Sequence, residues 1–234
     1  MVKKKKNTFA DFILPQVTVE GRYRDSLYWD AAGKTLRAIS AGKFQWEFEQ
    51  VTNKGVKIRD RKHGITVIYG FGNVIVTQNY VENLNKFKEA TSLVFNVVVK
   101  TLDVKYMTRL GNRFWYLFPL NSRQKGEKLL AEAQLVGDYG DRLKDFGDEI
   151  TNRSVVLRLA GKEHHCRIAL SVVEKETQLK FSDIDSKFFP EWAVLCDVDF
   201  YREGELKSGL DVSQFIHRNH KTLQNKLLDL LIPS

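Results

Sequence analysis

Three groups of side chains in this 234-residue chain have residue types and spacings that chemistry can use. Asp197 and Asp199 lie two apart in an extended run, so their carboxylates share one side while Val194, Cys196, Val198 and Phe200 share the other. Paired carboxylates are hard oxygen ligands that can hold Mg²⁺ or Mn²⁺, and they carry the alternative reading of a metal-dependent phosphoesterase. No second acidic motif of metal spacing accompanies them. The favoured reading is a wet strand face, with both carboxylates paired across strands to Arg158 and Arg167, which also alternate with apolar neighbours.

The histidines form the second group. His164, His165 and Cys166, with His217 and His220, are zinc-ligand types, but adjacent strand residues point to opposite faces and the first three are thereby split. His220 falls on an apolar helical stripe with Ile216, Leu223 and Leu227, which predicts a half-buried histidine hydrogen-bonded to an underlying sheet. The sequence contains no nucleophile elbow, Walker loop or HExxH pattern, and Gly70-Phe71-Gly72 sits inside a hairpin pattern as a turn. No catalytic residue, metal ligand or cofactor is predicted.

The third group is a basic ladder. Lys57, Arg59 and Arg61 alternate with Val56 and Ile58, so three cations project together at a spacing of about 6.6–6.8 Å. Arg22 and Arg24 repeat the arrangement. Like charges on one face repel unless they are solvated or an anion compensates them. The ladder is therefore either a solvated face that keeps a sheet edge unpaired, or a surface for phosphates or an acidic protein. Tyr69, Trp115 and Tyr116 have ring types that can stack on bases, but their strand spacing favours core positions. The expected function is that of a non-enzymatic binding or regulatory protein, engaging nucleic acid or an acidic protein through Lys57, Arg59, Arg61, Arg22 and Arg24.

These groups must be positioned by regular elements, and the pattern of the chain predicts most of them. Residues 16–24 alternate as a strand with one wet side. Residues 44–79 read as a four-stranded meander with turns at Thr52-Asn53-Lys54-Gly55, Lys62-His63-Gly64 and Gly70-Phe71-Gly72-Asn73. Residues 84–98 have helical apolar spacing behind a potential cap, Asn83. Two aromatic strands, 102–109 and 113–118, are expected to form a hairpin around Gly111-Asn112. One helix is expected at 126–136, then strands at 155–159, 165–173 and 192–201. The chain closes with an amphipathic helix over 211–232, where Asp211 and Gln214 have capping-box spacing.

The predicted class is α+β, with antiparallel sheets in two strand-rich halves, each carrying a helix on one face. The halves are residues 9–120 and 151–234, joined by a connecting segment at 121–150 and preceded by a basic tail at 1–8, with one compact unit overall. Fifteen Phe, eight Tyr and four Trp supply ample core bulk without disulfides or metals. The net charge of +8 is concentrated early, since residues 1–62 hold 14 Lys and Arg against seven Asp and Glu. No run is long enough for a signal or membrane segment, so a soluble cytoplasmic protein is expected. Cys166 and Cys196 read as reduced core residues, with a buried bridge as the alternative.

Residues 102–110, LDVKYMTRL, resemble the G-L-R-Y-x-N-R-I segment of an uncharacterised, sporadically distributed bacterial family of conserved hypothetical proteins. The terminal WAVLCDVDFY and the helix bearing His220, Leu223, Leu227 and Leu231 resemble that family's L-D-I-D strand and His-containing helix. Residues 13–24, with Pro15, resemble its opening strand. Lys105 stands where the family has Arg, Thr108 where it has Asn, and Leu227 where it has an aromatic. The resemblance implies no biochemical activity. The family's patchy distribution is similar to that of mobile-element or defence-associated genes.

Overall fold

A computed structural model describes residues 8–24, 26–52, 55–133, 135, 154–162, 164–175, 189–207 and 209–232. A 3-10 turn at Phe9–Asp11 leads into β1 (Ile13–Tyr23), α1 (Tyr28–Ser40), the meander β2 (Glu47–Thr52), β3 (Gly55–Asp60), β4 (Ile65–Gly70) and β5 (Asn73–Asn79), then α2 (Leu84–Thr101). There follow β6 (Tyr106–Leu120), α3 (Arg123–Glu132), β7 (Ser154–Ala160), β8 (His165–Glu174), β9 (Trp192–Lys207) and α4 (Val212–Leu231). The expected tail lies almost wholly outside the described residues, as does most of the connecting segment.

The nine strands among the described residues form one antiparallel sheet in the order β2-β3-β4-β5-β1-β6-β9-β8-β7. The class is α+β as expected, but the two separate sheets are not. β6 pairs with β1 of the first half and with β9 of the second, along nearly its whole length. The predicted hairpin at Gly111-Asn112 is absent for the same reason: β6 runs straight through both residues. Asn112 is fully buried and donates its amide to the Thr18 carbonyl at 3.1 Å, so a residue type common in turns here satisfies the neighbouring strand.

Register assigns each strand residue to a face. Val17, Val19, Val67, Val76, Phe114, Tyr116, Cys196, Val198 and Leu170 all face the helices and form one continuous core. α1 packs on α2, and the Tyr69 hydroxyl donates to the Ala32 carbonyl at 2.9 Å from the same side of the sheet. α2 is capped by Asn83, whose side chain accepts from the Asn85 N–H, and it buries Phe87, Val94, Phe95 and Val98. α3 spans Arg123–Glu132 rather than 126–136, because Ser122 caps it by accepting from the Lys125 N–H. α1 was not anticipated. Its buried positions Tyr28, Ala31, Thr35 and Ile39 have helical spacing but only two large apolar side chains.

The turn expected at Thr52-Asn53-Lys54-Gly55 lies partly outside the described residues, and the other two meander turns follow the expected chemistry. At the β3–β4 turn, Gly64 adopts φ +64°, and the fully buried Asp60 accepts from the backbone N–H of His63 while its other oxygen meets His63 Nδ1 at 2.9 Å. α4 is capped as predicted, with Asp211 accepting from the Gln214 N–H at 2.9 Å. It buries Phe215, Ile216, Leu223, Leu227 and Leu231 against the sheet that contains β9. His220 makes no hydrogen bond among the described residues, contrary to the sequence expectation. It lies instead between the Phe9 and Phe114 rings, with centroids at 6.1 and 5.9 Å. Cys166 and Cys196 are both free and buried. No helix among the described residues is long and apolar enough to cross a membrane.

Two outcomes follow from this packing. Leu223→Ala removes a core side chain that is 4% exposed and should lower unfolding free energy by about 2–5 kcal/mol, read as a shifted denaturation midpoint. Burial of His220, reinforced by the neighbouring positive charges of His217 and Lys88, holds its pKa below the ordinary histidine value. The folded state then resists a proton that the unfolded chain accepts, so this stability is present above the unfolded pKa and is lost as pH falls from there through the folded pKa. Relative to His220→Phe, the wild-type protein should lose stability on acidification below about pH 6.5, and parallel stability-pH curves for the two would show the assignment to be wrong.

Candidate functional site

The sheet face opposite the helices collects nearly every charged strand residue singled out by the sequence. Among the described residues no helix packs on it. Because strands alternate, a register that buries Val56, Val19, Phe114 and Val198 necessarily presents Lys57, Thr18, Arg113 and Asp197 on this other side.

At the β2–β3 edge, Lys57, Arg59 and Arg61 do share one face, and the neighbouring strand supplies compensating anions. Lys57 Nζ lies 2.8 Å from Glu49, Arg59 lies 3.7 Å from the same carboxylate, and Arg61 Nε lies 2.6 Å from Glu47. A register shift between Phe48 and Gln50 accompanies this arrangement, in which Glu49 serves two cations. The hydrogen bond from Lys57, with the added fields of Lys57, Arg59 and Arg61, holds the Glu49 carboxyl below its ordinary pKa. Glu47 and Glu49 alternate in WEFEQ as plainly as the cations do in VKIRDR, so the compensating strand was readable from the sequence and was missed.

A second network occupies the centre of the same face. Arg109 donates to Glu20 at 2.9 Å and to Asp199 at 2.6 Å, and its Nε lies 3.8 Å from Glu203. Glu20 also holds Arg22 at 2.9 Å. Arg113 grips Asp197 through both oxygens at 2.6 and 2.7 Å, Arg167 adds a contact at 2.9 Å, and the Trp115 indole donates to the same carboxylate at 3.1 Å. The predicted partners are therefore half corrected. Arg167 does pair with Asp197, but the other arginine is Arg113 of β6, because Arg158 on β7 is separated from β9 by the whole of β8.

Gly111 is what lets this network close. Arg109 lies back along its own strand, its guanidinium 4.9 Å from the centre of the Tyr201 ring, and a Cβ on Gly111 would sit 2.6 Å from Arg109 Nη1. The cross-strand neighbours of Gly111 are Glu20 and Tyr201, so the vacant side-chain position is the seat of the guanidinium. The dipeptide that suggested a turn thus serves close approach instead.

The two aspartates have opposite electrostatics. Burial pushes the Asp197 carboxyl up, but the combined hydrogen bonds and fields of Arg113 and Arg167 outweigh it and hold the pKa below the ordinary value. For Asp199 burial wins over Arg109 and Arg113, and repulsion from Asp197 adds to it, so its pKa is raised. With Asp197 engaged by two arginines and an indole, and Asp199 by Arg109, both carboxylates are committed to ion pairs. Among the described residues no group of three or more His, Cys, Asp or Glu side chains is placed to hold a metal.

The other singled-out residues separate. His164 and His165 flank opposite faces at the start of β8, against Phe200 and Tyr201 respectively, far along the sheet from the β2–β3 cations. Tyr69 and Tyr116 are buried in the core, and Trp115 joins the charge network. Arg24 is exposed beyond the end of β1 and makes no ion pair with a described residue.

Around Arg24 the structure gathers residues that sequence reasoning did not single out as a surface. Leu27, Trp29, Phe71 and Tyr106 are all exposed, Trp29 at 69%. The Ser26 hydroxyl donates to the Phe71 carbonyl and the Leu27 N–H to the Leu102 carbonyl, which ties the start of α1 to the β4–β5 turn and to the end of α2. Arg24, Lys105, Tyr106, Thr108 and Glu205 line a shared recess of about 590 Å³, and Lys105 pairs with Asp103. No local pattern announces this surface, because its members come from four chain regions.

No protein-family model matches the chain, and a search of curated proteins finds no match.

The Gly111 seat makes a sharp expectation. Gly111→Ala should cost about 1–3 kcal/mol, because it displaces an arginine hydrogen-bonded to two carboxylates. In an Arg109→Ala background the same substitution should cost much less. Additive losses in that double-mutant cycle would show that the glycine serves another purpose.

Proposed function

We propose that this is a non-enzymatic binding protein that engages an acidic protein segment at the Arg24 end of the sheet. The observation that carries the reading is the coincidence there of four exposed large apolar side chains, Leu27, Trp29, Phe71 and Tyr106, with Arg24, which is exposed and makes no ion pair with a described residue. Exposed apolar side chains gathered into one patch mark interaction surfaces, and Trp, Tyr and Arg are the residue types most enriched among binding hot spots. Arg22 continues the basic character onto the sheet, although Glu20 holds it.

Lys57, Arg59 and Arg61 contribute to the field on the same face and steer an acidic partner, while their pairing with Glu47 and Glu49 reduces what they offer to a phosphate backbone. The commitment of Asp197 and Asp199 to arginines likewise favours binding over metal-dependent phosphoester hydrolysis. The resemblance to a sporadically distributed bacterial family is consistent with a role in a mobile-element or defence context, in the cytoplasm.

The test is fluorescence anisotropy with two probes, an acidic peptide containing spaced aromatic residues and a single-stranded oligonucleotide, titrated at several salt concentrations. The peptide should bind, and Trp29→Ala combined with Arg24→Glu should weaken it by about thirtyfold or more, the loss expected of a hot spot of about 2 kcal/mol. Oligonucleotide binding with a log-log salt slope of about 0.7–0.9 per phosphate, flattened by about 2–3 on changing Lys57, Arg59 and Arg61 to Gln, would replace this reading with the nucleic-acid one.

A further inference from the structure

Among the described residues, the helix-facing side of the sheet is incompletely filled between α4 and the strands β7, β8 and β9. A cavity of about 330 Å³ opens there, walled by Ile168, Val198, Phe200, Leu223, Leu227 and Leu230. The Cys166 thiol in the same wall has its pKa pushed up to about 12 by burial and by the nearby Asp199, so it remains a neutral, apolar surface. A second cavity of about 430 Å³, with a different lining, adjoins this apolar space and shares His164 and Thr222 with it. Arg202, Arg218 and Lys221 contribute three cations to it.

Three further features give the pair of cavities the character of a built site. No carboxylate appears among the described lining residues of either cavity. Asp211, which borders an adjoining recess with Arg202 and Arg218, is occupied as the α4 cap. Asn219, 6% exposed and in the wall of the cationic cavity, keeps its side-chain Nδ2 buried without a hydrogen-bond partner. A buried amide donor without an acceptor costs free energy that a bound anion or its hydration can recover. Arg218 and Lys221 form no ion pair with a described residue, while Lys226 at the apolar end reaches Asp229 only at 3.9 Å.

We propose that this composite cavity binds a free, single-chain anionic amphiphile of the fatty-carboxylate class, with its chain in the apolar slot and its head among Arg218, Lys221 and Asn219. At about 30 Å³ for a water-sized group, the apolar slot accommodates about ten methylenes, which suits one medium-length chain and excludes a two-chain lipid. Each methylene withdrawn from water favours binding by about 0.8 kcal/mol, and the cations set the sign of the head group. The site lies on the opposite side of the sheet from the charged face and does not rest on the protein-binding reading.

The test uses the full-length protein, cis-parinarate as a fluorescent probe, and decanoate and decanol as competitors below their aggregation thresholds. Decanoate should displace the probe saturably with one site per chain. Arg218→Glu with Lys221→Glu, both on the exposed side of α4, should weaken decanoate by about tenfold or more, as expected for charge-assisted hydrogen bonds, and should change decanol by less than about twofold. Leu230→Trp, which fills the slot from a partly exposed position, should abolish binding of both. Thermal melts of each variant separate loss of binding from loss of fold, and the charge variant alone decides the head group if the tryptophan variant melts early. The proposal is overturned if wild-type protein shows no saturable parinarate binding, if the charge variant weakens decanoate and decanol equally, or if the protein sediments with phosphatidylserine vesicles while decanoate fails to compete.

Discussion

The antiparallel pairing of β6 with β9 is the constraint on which the rest of this molecule depends. β6 is matched to β9 from Tyr106–Lys207 to Leu120–Trp192, with one register shift, and its other edge carries β1. Two strand-rich regions that are distant in the chain are thereby joined in a single sheet with one shared core. Long-range pairing of this kind is costly in chain entropy to form and, once formed, sets the face of every residue on both strands at once. A one-residue slip of β9 against β6 would turn Val198 and Phe200 to the open side and drive Asp197 and Asp199 into the core.

That same register builds the charge network. Arg109, Arg113 and Arg167 come from strands on either side of β9, and they meet carboxylates of β1 and β9 only because the central strands are aligned as they are. The side chains of Arg109 and Asp197 are 14% and 9% exposed, so these pairs are largely withdrawn from water. Pairs of this kind add little to net stability compared with apolar replacements, but removing one partner leaves a costly uncompensated charge. Their physical effect is to penalise alternative registers, since any slip would separate them.

With Arg109, Arg113 and Arg167 satisfied internally, the surfaces proposed for other molecules lie elsewhere. Apolar groups remain exposed at the Arg24 end, where the first turn of α1, the β4–β5 turn and the start of β6 converge without a covering element among the described residues. On the helix side, α4 supplies one apolar stripe to a sheet too wide for it, and the strip above β7 and β8 is left with space beneath a cationic rim. Both features arise from how the four described helices are distributed over the nine described strands.

Local chemistry in the sequence determined much of this structure. The β2–β5 meander follows from alternation and turn residues, α2 and α4 from apolar spacing with the Asn83 and Asp211 caps, and the sidedness of Lys57, Arg59 and Arg61 or of Asp197 and Asp199 from the two-residue period of a strand. What the tertiary structure alone decided was which strands became neighbours. Periodicity states which face a residue occupies and carries no information on what lies beside it, so Arg113 rather than Arg158 as the partner of Asp197 depended on sheet order and register. Gly111-Asn112 shows the same limit from the other direction. Its local preference favours a turn, but the hydrogen bonds of two flanking strands, the burial of Asn112 and the seat for Arg109 hold it extended, because many long-range contacts together outweigh one dipeptide's propensity.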